Sequence, residues 1–250
     1  MDARSVSELV APPARGRVFE QEFRAGFADC APSGRIRLDA LARWLQDVAY
    51  ADVVDAELAE RAVWVVRRTR LRVRRFPRLA ESHRLSTFCS GLGRMWAERR
   101  TSIRRPAEPE SDVEAVSLWV HLDPVNWRPT PLSEEEAALY GTAANGRRVT
   151  ARLRHPQPEP GSGAERFPWR FRATELDVAA HVNNAAYWQP LEEELLGGPE
   201  PEQLDAEIEY RSPAQPGVKQ VLREGPRRWI VGDDGEVHAS VLVAELEVRR

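Results

Sequence analysis

The sequence has few of the residues that mark several large protein classes. Only one of its 36 basic residues is lysine, Lys219, and it has two cysteines, Cys30 and Cys89. Two thiols cannot form a disulfide framework, and no Cys or His stands at zinc-ligand spacing from either of them. The longest apolar run, 62–66, is far shorter than the roughly 18 residues of a membrane-spanning helix. These absences argue against a disulfide-rich or membrane-spanning protein, and we expect neither a metal nor an organic cofactor.

The remaining composition is that of an ordinary globular protein. Apolar residues make up 42% and charged residues 30% of the 250 residues, with a net charge of −3. This balance is typical of a folded protein and not of a disordered chain or a nucleic-acid-binding protein. Because the first residues lack the apolar centre of a signal peptide, the sequence predicts a cytoplasmic protein.

Proline and glycine divide the chain into two parts. Residues 1–16 include two prolines and no periodic apolar face, and they are predicted to form a flexible tail. Three prolines and two glycines between 155 and 163 predict an extended linker over 151–166. We therefore expect one unit over 17–150 and a second over 167–250.

The two units begin alike. Residues 23–25, Phe-Arg-Ala, and Asp29 recur 148 residues later as 171–173 and Asp177. A helical apolar pattern follows each copy, and after it the pattern changes to an alternation typical of antiparallel strands. The first helix is predicted over 38–55, and the second begins at 183 or 184 and ends at glycines 197 and 198. The strands are predicted at 63–73, 85–89, 95–103, 116–122, 208–210, 218–222, 228–231 and 237–248. The sequence thus predicts an α+β fold of two units, each with an antiparallel sheet wrapped around a central helix.

The most informative stretch lies at the start of the second helix. Asp177 and His181 are followed by Asn183, Asn184 and Tyr187 in the order Asp-x-x-x-His-Val-Asn-Asn-x-x-Tyr. This order resembles the signature of hotdog-fold thioesterases. Over about residues 17 to 248 the chain resembles the acyl-acyl carrier protein (acyl-ACP) thioesterases, which carry two fused hotdog units.

This resemblance implies a double hotdog that hydrolyses fatty acyl-ACP and releases free fatty acid. It implies that the first unit houses much of the acyl chain and that the second unit is catalytic, because Ser33 stands where the repeat places His181. The partner is ACP or, as an alternative, coenzyme A, since both present the acyl chain on a phosphopantetheine arm. A fused pair of units is compatible with a monomer or a homodimer.

The chemistry of the motif can also be read from its residues. A His just before a helix lies near unpaired N–H groups and the positive end of the helix dipole, which can stabilise an oxyanion. His181 can transfer a proton, and Asp177 can orient His181, activate water or attack the carbonyl itself. Asn183, Asn184 and Tyr187 are predicted substrate-site residues, and the two asparagines are expected chiefly to cap the helix. The alternative is a purely structural Asp-His pair.

Two positions depart from the plant members of the family. Their Asn two residues after the Asp is Ala179 here, and their Glu after the pair 210–211 is missing because 212–214 reads Ser-Pro-Ala. Glu192 and Glu193 are the candidates for a replacement, because bacterial hotdog thioesterases often carry a carboxylate on the central helix. A solvated acidic face is the alternative for this run.

Eight arginines and no acidic residue lie between 61 and 80. Four of them share one face of the predicted strand: Arg68, Arg70, Arg72 and Arg74. Such a face is suited to dock an acidic carrier protein, and a solvated strand face is the alternative. No recognition motif indicates a nucleic acid.

Two further functions remain open beside hydrolysis. A hotdog hydratase or dehydratase is disfavoured, because Phe167-Pro168 has no His in the register that those sites show. A non-catalytic acyl-thioester binding protein is suggested by Ala179 and Pro213, where the plant enzymes carry catalytic side chains.

Overall fold

The computed structural model describes residues 6–248. Its first half contains, in order, β1 (Val18–Arg24), a 3-10 helix (Phe27–Asp29), α1 (Leu38–Asp55), β2 (Val63–Val73), β3 (Ser82–Leu92), β4 (Trp96–Arg104), β5 (Val113–Leu122) and α2 (Glu134–Ala144). Its second half contains β6 (Glu165–Phe171), two 3-10 helices (Ala173–Glu175 and Asn184–Trp188), α3 (Gln189–Leu196), β7 (Pro201–Tyr210), β8 (Gly217–Glu224), β9 (Arg227–Val231) and β10 (Val237–Val248).

The ten strands form one antiparallel sheet in the order β1-β3-β4-β5-β2-β7-β10-β9-β8-β6. The two halves have the same strand order. In each half the first strand along the chain, β1 or β6, lies at the outer edge of the sheet, and the second, β2 or β7, lies at its centre. The halves meet where β2 pairs with β7, from Arg68 opposite Glu209 to Val73 opposite Leu204. The predicted α+β architecture is confirmed, with the difference that the two units share one continuous sheet.

Both long helical segments are buried, as predicted. The apolar side chains of α1 recur every three or four residues, and Leu38, Leu41, Leu45 and Val48 are buried in one cluster with strand residues of both halves. The second segment starts as the 3-10 helix at Asn184 and continues as α3, giving a helical run over 184–196. Among residues 6–248, no helix combines the length and apolar character that crossing a membrane requires.

Contacts over residues 6–8 argue against a flexible tail there. Ser7 is buried, and its N–H donates to the Glu207 carboxylate at 2.7 Å while its carbonyl accepts from Arg70. The start of the linker is held in the same way, because the N–H groups of Arg154 and His155 donate to one β7 carboxylate. Residues 1–5 lie outside the described chain. The unit boundaries at 17–150, 151–166 and 167–250 stay predictions.

Candidate active site

The loop before each long helix makes the same backbone hydrogen bonds, and these bonds align the two units. In the first loop the Ala31 N–H donates to the Arg35 carbonyl at 2.8 Å, and in the second the Asp177 N–H donates to the His181 carbonyl at 3.0 Å. Equivalent residues are therefore 146 apart, from Ala31 to Asp177 and from Arg35 to His181. The predicted offset of 148 is wrong by two residues.

The backbone at the tip of each loop supports this alignment. Gly34 has a φ of 82° and Ala180, which is 146 residues later, has a φ of 58°. Left-handed backbone is uncommon for a residue with a Cβ and costs of order 1–3 kcal/mol. Arg35, and not Ser33, occupies the place of His181, and Ala31 occupies the place of Asp177. The first loop therefore lacks both the imidazole and the carboxylate of the second.

A buried ion pair fills the corresponding place in the first unit. Glu192 on α3 accepts hydrogen bonds from the Arg35 guanidinium at 2.7 and 3.2 Å and from the Leu38 N–H at 2.9 Å. The two charged side chains are only 2–3% exposed. Burial raises the pKa of Glu192, and the hydrogen bonds from Arg35 and Leu38 oppose this shift. Glu192 thus caps α1 and neutralises Arg35.

These contacts argue against the predicted catalytic role of Glu192 and against a solvated face at this position. Its carboxylate is buried, and both of its oxygens accept hydrogen bonds from groups of the first unit. The Glu193 side chain is exposed and has no hydrogen bond or ion pair within residues 6–248. Its predicted role stays a prediction.

In the second loop, Asp177 is held by its neighbours but not by His181. Its Oδ1 accepts from the Ala179 N–H at 2.9 Å and its Oδ2 accepts from Asn183 Nδ2 at 3.3 Å. The half-exposed ring of His181 has no hydrogen-bond partner in the described chain. Asp177 therefore does not orient the His181 ring, and both side chains have atoms free for a substrate.

Asn183 connects this loop to the first unit. Its Oδ1 caps the helical run by accepting from the Ala185 N–H at 2.9 Å, which confirms the predicted cap. The same amide exchanges two hydrogen bonds with Gln46 of α1, at 3.1 and 3.2 Å. Gln46 was not singled out by the sequence analysis. Its signal is that it is a polar residue at helical spacing from the buried Ala42 and Ala49, at the edge of the buried face of α1.

Tyr187 and Asn184 have scaffold contacts. The Tyr187 side chain is 2% exposed, its hydroxyl accepts from the Ala214 N–H at 2.8 Å, and burial raises its pKa to about 12. The Asn184 carbonyl accepts from the Tyr210 hydroxyl at 3.0 Å. Because Tyr187 lies in the core, this structure does not support its predicted contact with substrate. Asn184 is half-buried at the start of the helical run.

The family of the chain follows from a comparison with known proteins. Residues 16–140, half of the chain, match the model of the acyl-ACP thioesterase N-terminal domain. The chain belongs to the acyl-ACP thioesterase family. Its reaction is therefore the hydrolysis of the thioester of fatty acyl-ACP. The matched residues end before the loop that carries Asp177 and His181, so they say nothing about the site residues.

Whole-chain relatives agree with this assignment in fold. The chain is 28% identical to the uncharacterized protein Rv2001 of Mycobacterium tuberculosis, over 95% of this chain and 96% of that protein. It is similar to the crystal structure of a putative oleoyl thioesterase from Lactobacillus plantarum, with a TM-score of 0.77, 20% identity and coverage of 95% and 98%. It is also similar to the 12:0-ACP thioesterase from Umbellularia californica, with a TM-score of 0.72, 19% identity and coverage of 94% and 99%. The predicted double hotdog is confirmed.

The predicted docking face of this thioesterase is not one exposed surface. Arg68 is buried, and Arg70 makes a two-bond ion pair with Asp205 of β7 at 2.6 and 2.7 Å. The arginines do not form one free surface because the register of β2 with β7 places acidic side chains of β7 opposite them. Arg74 is exposed, and the Arg72 side chain is 43% exposed at 3.9 Å from Asp205.

The interior of the first unit is partly polar, although an apolar acyl pocket is expected there. Hydroxyl pairs join Thr69 to Ser117 at 3.0 Å and Thr87 to Thr101 at 2.9 Å. Near the end of α1, buried Asp52 pairs with Arg99 at 2.6 Å and with Arg17 at 2.6 Å. The place of the acyl chain stays a prediction.

Replacing Glu192 separates a structural role from a catalytic one. We expect Glu192→Gln to destabilise the protein by about 3–5 kcal/mol, because it leaves the buried Arg35 charge without its partner. Urea unfolding measures this loss, and Glu193→Gln on the same helix is the exposed control. A Glu192→Gln protein of normal stability that had lost its turnover would show instead that Glu192 is catalytic.

Proposed function

We propose that this thioesterase hydrolyses fatty acyl-ACP at the second loop, with Asp177 and His181 as its catalytic residues. One observation carries the proposal. The two loops share a backbone, but the place of the His181 ring in the first loop is taken by Arg35, which is paired with Glu192. The second loop keeps an imidazole and a carboxylate with free atoms beside the start of a helical run.

The geometry supports a water-mediated reaction. Asp177 accepts a proton from water as the water oxygen attacks the thioester carbonyl carbon, since its carboxylate retains free lone pairs. The Asn184 N–H at the start of the helical run has no acceptor within residues 6–248, and it can donate to the developing oxyanion. When the intermediate collapses, the C–S bond breaks and His181, in its imidazolium form, supplies a proton to the departing sulfur. Asp177 then releases its proton to solvent and His181 takes one up, which restores both groups.

One chain supplies the whole of this site. Asp177, His181 and Asn183 come from the second unit, and Gln46 reaches Asn183 from the first unit of the same chain. The pairing of β2 with β7 already joins the two units. We therefore propose that a monomer is sufficient for activity, and that a homodimer, if it forms, adds no residue to this site.

Removal of either catalytic side chain tests the assignment. We expect His181→Ala and Asp177→Asn each to lower kcat by a factor of about 10² to 10⁴, because each group acts on a proton in the reaction. KM should change little, since neither interaction is needed to bind the acyl chain. Release of free thiol from acyl-ACP substrates of several chain lengths measures both constants.

Ser33→Ala in the exposed part of the first loop is the matched control, and it should behave like the unchanged protein. Wild-type turnover in both His181→Ala and Asp177→Asn would refute the site. Binding of acyl-ACP by the unchanged protein without any release of thiol would instead favour a binding protein.

Carrier docking is the second part of the proposal. We propose that two exposed arginines, Arg72 near the end of β2 and Arg74 just after it, contact acidic side chains of ACP. Arg68 and Arg70 are not available for this contact, because they are covered by the N-terminal segment and the linker and are near the acids of β7.

Charge reversal tests this surface. In the double variant Arg72→Glu/Arg74→Glu, we expect kcat/KM for acyl-ACP to fall about tenfold, because attraction to the acidic carrier becomes repulsion. Hydrolysis of a short, uncharged acyl thioester should not change. Arg166→Glu/Arg170→Glu on exposed edge strand β6 is the matched control. Equal losses for both substrates, or an equal loss in the control, would remove the docking assignment.

A further inference from the structure

We propose that Gln46 is a positioning residue of the catalytic site, contributed by the first unit to the loop of the second. This inference rests on the proposed function, because it concerns the site of Asp177 and His181. It gives the first unit a direct part in the arrangement of the reacting groups, in addition to any role in holding the acyl chain.

The contacts form a short chain of hydrogen bonds. Gln46 Nε2 donates to Asn183 Oδ1 at 3.1 Å, and Asn183 Nδ2 donates back to Gln46 Oε1 at 3.2 Å. Asn183 Nδ2 also donates to Asp177 Oδ2 at 3.3 Å. Gln46 is therefore one residue removed from the carboxylate that acts on the substrate.

The neighbours of Asn183 determine the orientation of both amides. Asn183 Oδ1 accepts from the Ala185 N–H, and Asn183 Nδ2 faces the carboxylate of Asp177. A flipped Asn183 would place its NH2 group against a donor and its oxygen against a carboxylate, which is unfavourable at both contacts. Gln46 fits only this orientation, with its NH2 group toward Oδ1. The pair thus holds Asn183 in the rotamer that contacts Asp177.

The other half of the molecule has an equivalent contact between units. Gln46 and Glu192 are themselves 146 residues apart, which is the spacing of the equivalent loop residues. Glu192 on α3 reaches the first loop at Arg35 and Leu38, and Gln46 on α1 reaches the second loop at Asn183. Each central helix thus fixes the loop of the opposite unit. Because the second loop keeps its reactive side chains, the neutral amide of Gln46 acts there on catalytic groups.

The contact between Gln46 and Asn183 is more important because residue 179 is an alanine. Among the described residues, the Asp177 carboxylate has only two hydrogen-bond donors, the Ala179 N–H and Asn183 Nδ2. Ala179 supplies no side-chain donor of its own. Within residues 6–248, Asn183 is therefore the only side chain that holds Asp177, and Gln46 limits the motion of that side chain.

Gln46→Met removes both hydrogen bonds and keeps the size of the side chain. We expect kcat for acyl-ACP to fall about tenfold with KM nearly unchanged, because Asp177 loses its fixed position while the acyl chain still binds. Asp47→Asn, on the next, exposed residue of α1, is the matched control and should keep wild-type constants.

A double-variant cycle distinguishes positioning from general stability. Gln46→Met should add little to the loss of kcat caused by Asn183→Ala, because Gln46 acts through Asn183. Additive losses would overturn the proposal, since they would mean that Gln46 acts by another route. Urea unfolding of each variant confirms that the comparison is made between folded proteins.

A second readout does not depend on turnover. The side-chain NH2 signal of Asn183 in a ¹⁵N NMR spectrum should shift in Gln46→Met and remain in place in Asp47→Asn. Unchanged kcat and an unchanged Asn183 signal in Gln46→Met, beside an inactive His181→Ala, would overturn the role of Gln46 and leave the proposed function standing. If the unchanged protein hydrolysed no acyl-ACP, the proposed function would fail, and the Asn183 signal alone would decide whether Gln46 holds the loop.

Discussion

The pairing of β2 with β7 is the contact on which the rest of this molecule depends. It joins two five-stranded halves into one sheet and gives both central helices a common core. It also determines which charged residues meet at the centre of the sheet, because its register places the arginines of β2 beside the acidic residues of β7. Arg70 and Asp205 form an ion pair there, and the N-terminal segment is bound across Glu207.

The same pairing brings each helix to the loop of the other unit. The two loops have equivalent backbones but unlike side chains, and so the two inter-unit contacts have different consequences. At the first loop, Glu192 and Arg35 form a buried ion pair, and Ala31 and Arg35 stand where the second loop has its carboxylate and its imidazole. At the second loop, Gln46 and Asn183 form a neutral pair that holds Asp177. We thus propose one reactive site, at the second loop, and a structural contact at the equivalent place in the first.

Much of the fold could be predicted from local patterns. The helix 38–55 and the strands 63–73 and 237–248 were predicted with the bounds that the structure shows, because their apolar spacing depends only on neighbouring residues. The motif from Asp177 to Tyr187 indicated the loop of the proposed site. Local patterns could not predict which segments that are distant in the sequence contact one another.

Three differences between prediction and structure have this origin. A chance match between 23–25 and 171–173 set the repeat two residues out of register, which hid the equivalence of Arg35 and His181. The arginines of β2 were predicted to form one exposed face, because their β7 neighbours cannot be identified from β2 alone. The ion pair and the helix cap made by Glu192 could not be predicted, because its partners lie more than 150 residues away in sequence.

The central claim is that the second loop binds the reacting thioester and that the equivalent place in the first loop does not. A crystal structure with an acyl-pantetheine analogue, in which a methylene group replaces the sulfur, tests this directly. The account predicts that the carbonyl oxygen of the analogue lies within about 3 Å of the Asn184 N–H or the His181 ring, with its carbon facing Asp177. A carbonyl bound beside Arg35, with the Arg35 and Glu192 pair separated, would contradict it.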